Sequence, residues 1–161
     1  MLDQKIIKLV QQIKTLTKGR FISTAESCTG GLVASYLTSI PGSSDYFSTG
    51  IISYSNEAKM KLLNVRRKTL DEFGAVSEEV ANEMALGSMK LAGSDIAISV
   101  TGVAGPGGGT KSKPVGMVCF GIAKGDGIQT ITHYFTGTRS EVRNQSCEIC
   151  LGLILESCKT T

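Results

Sequence analysis

The chain has no tryptophan, a single histidine and a net charge of only +3 over 161 residues. Each scarcity removes a class of function. Aromatic residues are 6% of the total, and the Lys and Arg side chains are scattered rather than clustered, so no nucleic-acid partner is expected. A weak positive charge is compatible with a small anionic substrate. No apolar run approaches the length of a membrane span, so no membrane partner is expected. The N-terminal pattern sets Leu2, Ile6, Leu9, Val10, Ile13 and Leu16 against Asp3, Lys5, Lys8 and Lys14. That is an amphipathic helix without a signal-peptide core, and the expected location is cytoplasmic.

The five cysteines are odd in number and follow no secretion signal, which argues against a disulfide framework. Cys147-Glu148-Ile149-Cys150 has redox or zinc spacing, yet it lies inside a helical pattern running from about Ser140 to Cys158. No second Cys pair or nearby His completes a metal set. Cys147, Cys150 and Cys158 therefore read as small core residues. Neither a metal nor a cofactor is implied. His133 shares a strand face with Ile131 and Phe135 and reads as a packed or edge residue. Setting it aside removes a Ser-His-Asp triad, and the base available to a nucleophilic serine is then a lysine.

What is present is an interleaving of helical and strand patterns. Helices are expected over 1–17, 31–39, 57–63, 67–73, 77–92 and 140–158. Strands are expected over 21–25, 49–54, 95–101, 115–124 and 128–136. The last two strands flank Gly125-Asp126-Gly127 and form an antiparallel hairpin. The pattern predicts one domain over residues 1–161: an α/β fold, a three-layer α/β/α sandwich. Its sheet is mixed, mainly parallel, with one antiparallel hairpin.

Ser27 falls at the turn between the first strand and Gly30-Gly31. A hydroxyl there faces unpaired backbone N–H groups at a helix start, which favour an oxyanion or a phosphate; a plain N-cap is the competing reading. Lys59 follows the second strand at a helix start and is the best base, with Lys61 as its rival and Tyr54 as a relay or orienting group. The glycine loop from Gly102 to Pro114 fails as a P-loop, because Thr110 separates Gly109 from Lys111 and no helix follows. It sits where open α/β sheets bind ligands, although a mobile surface loop fits the same residues. Arg139 and Arg143 share one face of the last helix, near its positive end. That placement suits a bound phosphate or carboxylate between them; two independent surface arginines, or a salt bridge to Glu141, fit the same residues.

Taken together, six stretches in order resemble one family, the C-terminal domain of the competence/damage-inducible protein CinA. They are Thr24–Gly31, Pro41–Ser44, Tyr54–Lys59, Gly74–Ser77, Thr101–Gly108 and Lys113–Gly116. Gly107-Gly108-Gly109 is richer in glycine than the Gly-Pro-x-Gly-Gly pattern of the family requires. The resemblance implies hydrolysis of the carboxamide of nicotinamide mononucleotide to nicotinic acid mononucleotide and ammonia. It also implies a catalytic set that falls on Ser27, Tyr54 and Lys59. Larger members carry a further N-terminal domain, and this sequence is expected to correspond to the stand-alone form. Substrate contacts are expected from Cys28, Thr29, Gly30, Gly42, Ser43, Ser44, Thr101, Gly102, Arg139 and Arg143. The expected partners are a small nucleotide substrate and further copies of the chain, in a homodimer or larger homo-oligomer. The alternatives are a non-catalytic nucleotide-binding module and an amidase for a different amide.

Overall fold

The computed structural model describes residues 3–160. Met1 and Leu2, where the sequence pattern begins its first helix, lie outside the described residues. Helix α1 (Gln4–Thr17) starts where the Asp3 carboxylate accepts the Lys5 amide, and it buries Ile6, Val10 and Ile13 at helical spacing. It ends at Lys18, which takes the left-handed conformation.

Strand β1 (Ile22–Glu26) is buried at every position and is the centre of the parallel part of the sheet. Of its two buried hydroxyls, that of Ser23 is satisfied by Ser94 at 2.7 Å and Ser88 at 2.9 Å, whereas that of Thr24 has no hydrogen-bond partner among the described residues. After β1 come helix α2 (Leu32–Leu37), a single 3-10 turn at Ser43–Asp45, strand β2 (Phe47–Ile52) and helix α3 (Asn56–Leu63). Helix α4 (Arg67–Phe73), helix α5 (Glu78–Ala92), strand β3 (Ile96–Gly102), strand β4 (Met117–Lys124), strand β5 (Gly127–Tyr134) and helix α6 (Arg139–Lys159) complete the order.

The strands pair as β2-β1-β3-β4-β5. β1 is parallel to both β2 and β3, whereas β3–β4 and β4–β5 are antiparallel. Four strands therefore point one way and β4 alone opposes them, which is the mixed, mainly parallel sheet expected. The hairpin turn is tighter than the Gly-Asp-Gly loop read from sequence, because Gly127 pairs with Lys124 and leaves only Gly125 and Asp126 in the turn. Gly125, at φ +57°, supplies the positive φ that a two-residue hairpin needs at its first position.

Alternation along β3 divides the core. Ile96, Ile98 and Val100 face α1, α2 and α6, while Ala97 and Ser99 face α5. Three layers result. On the α6 side, Cys147, Cys150 and Cys158 are buried in the main apolar cluster, and all five cysteines are free thiols. The CxxC pair is thus part of the core, as expected from its helical setting. No described helix is long and apolar enough to cross a membrane.

One packing contact on the other face bears directly on function. A Cβ on Gly87 of α5 would stand 2.0 Å from the carbonyl oxygen of Leu63, at the end of α3. Backbone meets backbone there, so no side chain can rotate away. Gly87→Ala is expected to push α3 off α5 and destabilise the fold by about 1–3 kcal/mol, despite the better helix propensity of alanine. Urea unfolding would register this as a lower midpoint; an unchanged midpoint would mean that the two helices do not depend on this approach.

Candidate active site

β1, β2 and β3 all end at the same edge of the sheet, and the chain leaves each of them there. The Ser27 amide donates to the Val100 carbonyl at 3.0 Å, and the Ser53 amide donates to the Glu26 carbonyl at 2.8 Å. These two bonds carry the ladder one residue past the strands and hold Ser27 between the ends of β2 and β3. Helix α3 starts immediately beyond β2, with the Ser55 hydroxyl accepting the Ala58 amide at 3.0 Å. Lys59 lies in its first turns and is 1% exposed. Its ammonium reaches back under the strand ends to the Ser27 Oγ at 2.9 Å, the Ser53 carbonyl at 3.0 Å and the Tyr54 carbonyl at 3.3 Å.

This is an unusual setting for a lysine, because among the described residues no carboxylate pairs with it. Burial disfavours the charged form and lowers the Lys59 pKa from the ordinary lysine value to about 8. Lys61, its rival by sequence, belongs to the solvent-facing side of α3. The neighbouring Cys28 thiol moves the opposite way, pushed up to about 12 by burial, so it stays protonated and is a poor nucleophile. His133 packs edge-on against Phe120 and stacks on Phe135, on the α6 side of the sheet. Lys59 approaches Ser27 from the opposite side, off α3.

Ser27, Cys28, Tyr54, Lys59, Thr101, Gly102 and Arg139 line one cleft of about 320 Å³, together with Asn56, Ala75, Val76, Val103, Ala104, Gly107 and Gly108. That is the low end of the volume of small-molecule sites. A larger cavity of about 530 Å³ lies between the start of α5 and strands β4 and β5, lined by Glu78, Lys113 and Thr132 among others, but it contains none of the expected site residues. The glycine loop after β3 forms one wall of the Ser27 cleft. Gly102 is required there by packing, since a Cβ would lie 2.9 Å from the Met117 carbonyl. The Thr101 hydroxyl donates to the Ala75 carbonyl at 2.9 Å and ties this wall to the turn between α4 and α5.

The remaining expectations are placed differently. Tyr54 keeps its phenol at the rim, where it accepts a hydrogen bond from Arg139 at 3.0 Å, and only its backbone carbonyl touches Lys59. Arg139 also donates to the Gly105 carbonyl at 2.8 Å. Gly42, Ser43 and Ser44 precede β2 and sit at the end of the sheet where Ile22 meets Tyr46, opposite the end that carries Ser27. They do not join the cleft of this chain. The reason is topological: a parallel β1-α2-β2 unit turns at opposite ends of the sheet on its way out and on its way back.

The expected ring of unpaired N–H groups at the start of α2 needs a similar correction. The buried Glu26 carboxylate accepts the amides of Gly31 at 3.2 Å, Val33 at 2.9 Å and Ala34 at 3.0 Å, and the Thr29 hydroxyl at 2.7 Å. The helix start is therefore already occupied by an anion of the chain itself. Glu26 was missed as a functional residue, although an acid closing a short strand just before a glycine-rich helix start is the signal that would have found it. Gly30 is also committed, its amide donating to the Ser27 carbonyl at 3.0 Å.

Fold and site together define a three-layer α/β/α domain with a buried serine–lysine pair at the C-terminal edge of its parallel strands. The chain belongs to the CinA C-terminal domain family, whose model matches residues 3–158. A protein of Enterobacter agglomerans named nicotinamide-nucleotide amidohydrolase PncC is 51% identical over 135 residues, covering 83% of this chain and 82% of that protein. A CinA-like protein of Syntrophomonas wolfei is 52% identical over 136 residues, 84% of this chain but only 33% of that protein. The chain thus spans about a third of such longer relatives. Among solved structures, the competence/damage-inducible protein CihA of Agrobacterium tumefaciens superposes with a TM-score of 0.91 at 38% identity, covering 99% of both chains.

Proposed function

We propose that this chain is a serine amidohydrolase that cleaves the carboxamide of nicotinamide mononucleotide, with Ser27 as nucleophile and Lys59 as general base. The observation that carries this reading is the 2.9 Å contact between Lys59 Nζ and Ser27 Oγ in a buried, carboxylate-free setting. The name of the Enterobacter relative supports the choice of substrate.

The three contacts of Lys59 give the proton transfer its direction. The carbonyl oxygens of Ser53 and Tyr54 only accept, so two of the amine's positions must carry N–H in either protonation state. The third position faces Ser27. It holds a proton when the lysine is charged and the lone pair when it is neutral. Neutral Lys59 then takes the Ser27 proton directly as Oγ attacks the amide carbon. Backbone amides beside Ser27 receive the oxyanion. The lysinium returns its proton to the departing nitrogen, the C–N bond breaks and ammonia leaves. Water, deprotonated by the same lysine, resolves the acyl-enzyme to the carboxylic acid.

Tyr54 acts at the rim in this scheme, contacting the substrate with a phenol held by Arg139. Arg139 is the group proposed to meet the phosphate, because it lines the cleft and, among the described residues, bonds only a carbonyl and a phenol.

A free amine at about 8 sets the pH dependence. Only about a tenth of Lys59 is neutral at pH 7, so kcat/KM is expected to rise about tenfold between pH 7 and 9 and then level off. The check is ammonia release from nicotinamide mononucleotide across that range, beside a panel of non-nucleotide amides. A flat profile would remove Lys59 as the base, and preference for a non-nucleotide amide would overturn the substrate.

A further inference from the structure

We infer that Arg143 is a positioning residue for the oxyanion site: with Glu26, it clamps the Ser27–Gly31 turn so that the Cys28 and Thr29 amides stay free beside the nucleophile. The inference rests on the amidase reading above and assigns Arg143 a task different from phosphate binding.

The hydrogen bonds of the turn are divided by polarity. Arg143, on α6, takes carbonyls only: its Nε donates to the Cys28 oxygen at 3.2 Å and an Nη to the Thr29 oxygen at 3.0 Å. Glu26, on the other side, takes donors only, the Thr29 hydroxyl and the amides that follow it. A peptide unit is planar and trans, so its C=O and N–H point in opposite directions. Drawing the Cys28 carbonyl toward α6 therefore turns the Thr29 N–H away from α6. The Ser27 carbonyl is fixed in the same way by the Gly30 amide, which sets the Cys28 N–H.

Among the described residues, no carbonyl or carboxylate oxygen accepts from the Cys28 or the Thr29 amide, and the one protein group that the Cys28 amide meets is its own thiol, a weak acceptor. They are the two residues following the nucleophile, and both are buried, with Cys28 forming part of the cleft wall. Buried amides left without an oxygen acceptor are rare, because an unmade hydrogen bond there is costly. Two in succession, held open by a carboxylate and a guanidinium that both bond elsewhere, are what a developing oxyanion requires. Two of the five guanidinium N–H groups go to this task. Its Nε and one Nη are spent on carbonyls, and its planar fork matches two successive carbonyl oxygens where a lysine would reach one.

Two roles for Arg143 make opposite demands on kinetics. A positioning residue acts on the transition state alone, so Arg143→Met is expected to lower kcat by about 10²–10³ while KM changes less than about threefold. The same factor is expected with nicotinamide mononucleotide and with its dephosphorylated nucleoside, because the phosphate is not involved. Arg143→Lys, which keeps the charge and one carbonyl contact, should recover part of the lost kcat. If Arg143→Met does not fold, Arg143→Lys carries the same two comparisons with a smaller drop. A raised KM with unchanged kcat, or a loss confined to the phosphorylated substrate, would overturn the inference and make Arg143 a phosphate ligand. Turnover by the wild type is measured first. Its absence would remove the amidase reading itself, whereas an active wild type with an unaffected Arg143→Met variant removes only the clamp.

Discussion

Ser27→Ala is expected to lower ammonia release from nicotinamide mononucleotide by about 10⁴-fold or more, with the fold and substrate affinity retained. The size follows from the absence of a substitute. The nearest thiol, Cys28, is held protonated by burial, and a water at the position Ser27 vacates beside Lys59 would have to attack the unactivated amide instead of an acyl ester. Removing one hydroxyl from a residue that is 8% exposed leaves a gap smaller than a methyl group, so the midpoint of thermal unfolding should shift by only a few degrees. Residual activity within tenfold of the wild type would mean that the nucleophile lies elsewhere in the cleft. Binding titrated alongside turnover distinguishes a lost step from a lost site.

Lys59→Met is expected to lower kcat by about 10³-fold or more while leaving stability near that of the wild type. Methionine fills most of the same space. It deprives the carbonyls of Ser53 and Tyr54 of a donor, but it also removes an ammonium that burial already disfavours. The pH dependence of stability provides an independent check. The folded-state value of about 8 lies below the ordinary lysine value of 10.5, so between the two the unfolded chain binds more protons. Lys59 therefore makes the wild type more stable as pH rises from about 8 to 10.5, and this increment is absent below that window. The Lys59→Met variant should lose the increment and show a flatter profile. Identical profiles for the two proteins would mean that Lys59 is solvated and ordinary, whatever its distance from Ser27.

The parts of this account that could be read from sequence are those that depend on local pattern. A short apolar strand running into Ser27 and a glycine pair marks a sharp turn, and Lys59 after the next strand marks the neighbouring one. Parallel pairing of β1 with β2 then brings the two together. The cysteine pair in α6 and His133 in its aromatic stack were legible for the same reason, because periodicity alone assigns them to packed faces. Long-range partnership was not legible. Nothing near Arg143 in the chain announces that its guanidinium will reach carbonyls more than a hundred positions earlier. Glu26 consumed the helix start that had looked open, since a buried carboxylate must find donors and the first turn of α2 offers three amides. The Gly42–Ser44 loop shows a different gap. Its distance from Ser27 follows from the geometry of any parallel βαβ unit, and strand direction rather than loop composition decides it.

The measurement that bears most directly on the central claim is ammonia release from nicotinamide mononucleotide by the purified chain at pH 9, with the Ser27→Ala variant in parallel. The predicted result is ammonia and nicotinic acid mononucleotide in equal amounts from the wild type, and neither above background from the variant. Tight binding of the nucleotide by the wild type without any ammonia would contradict the account and leave a nucleotide-binding module in place of an amidase.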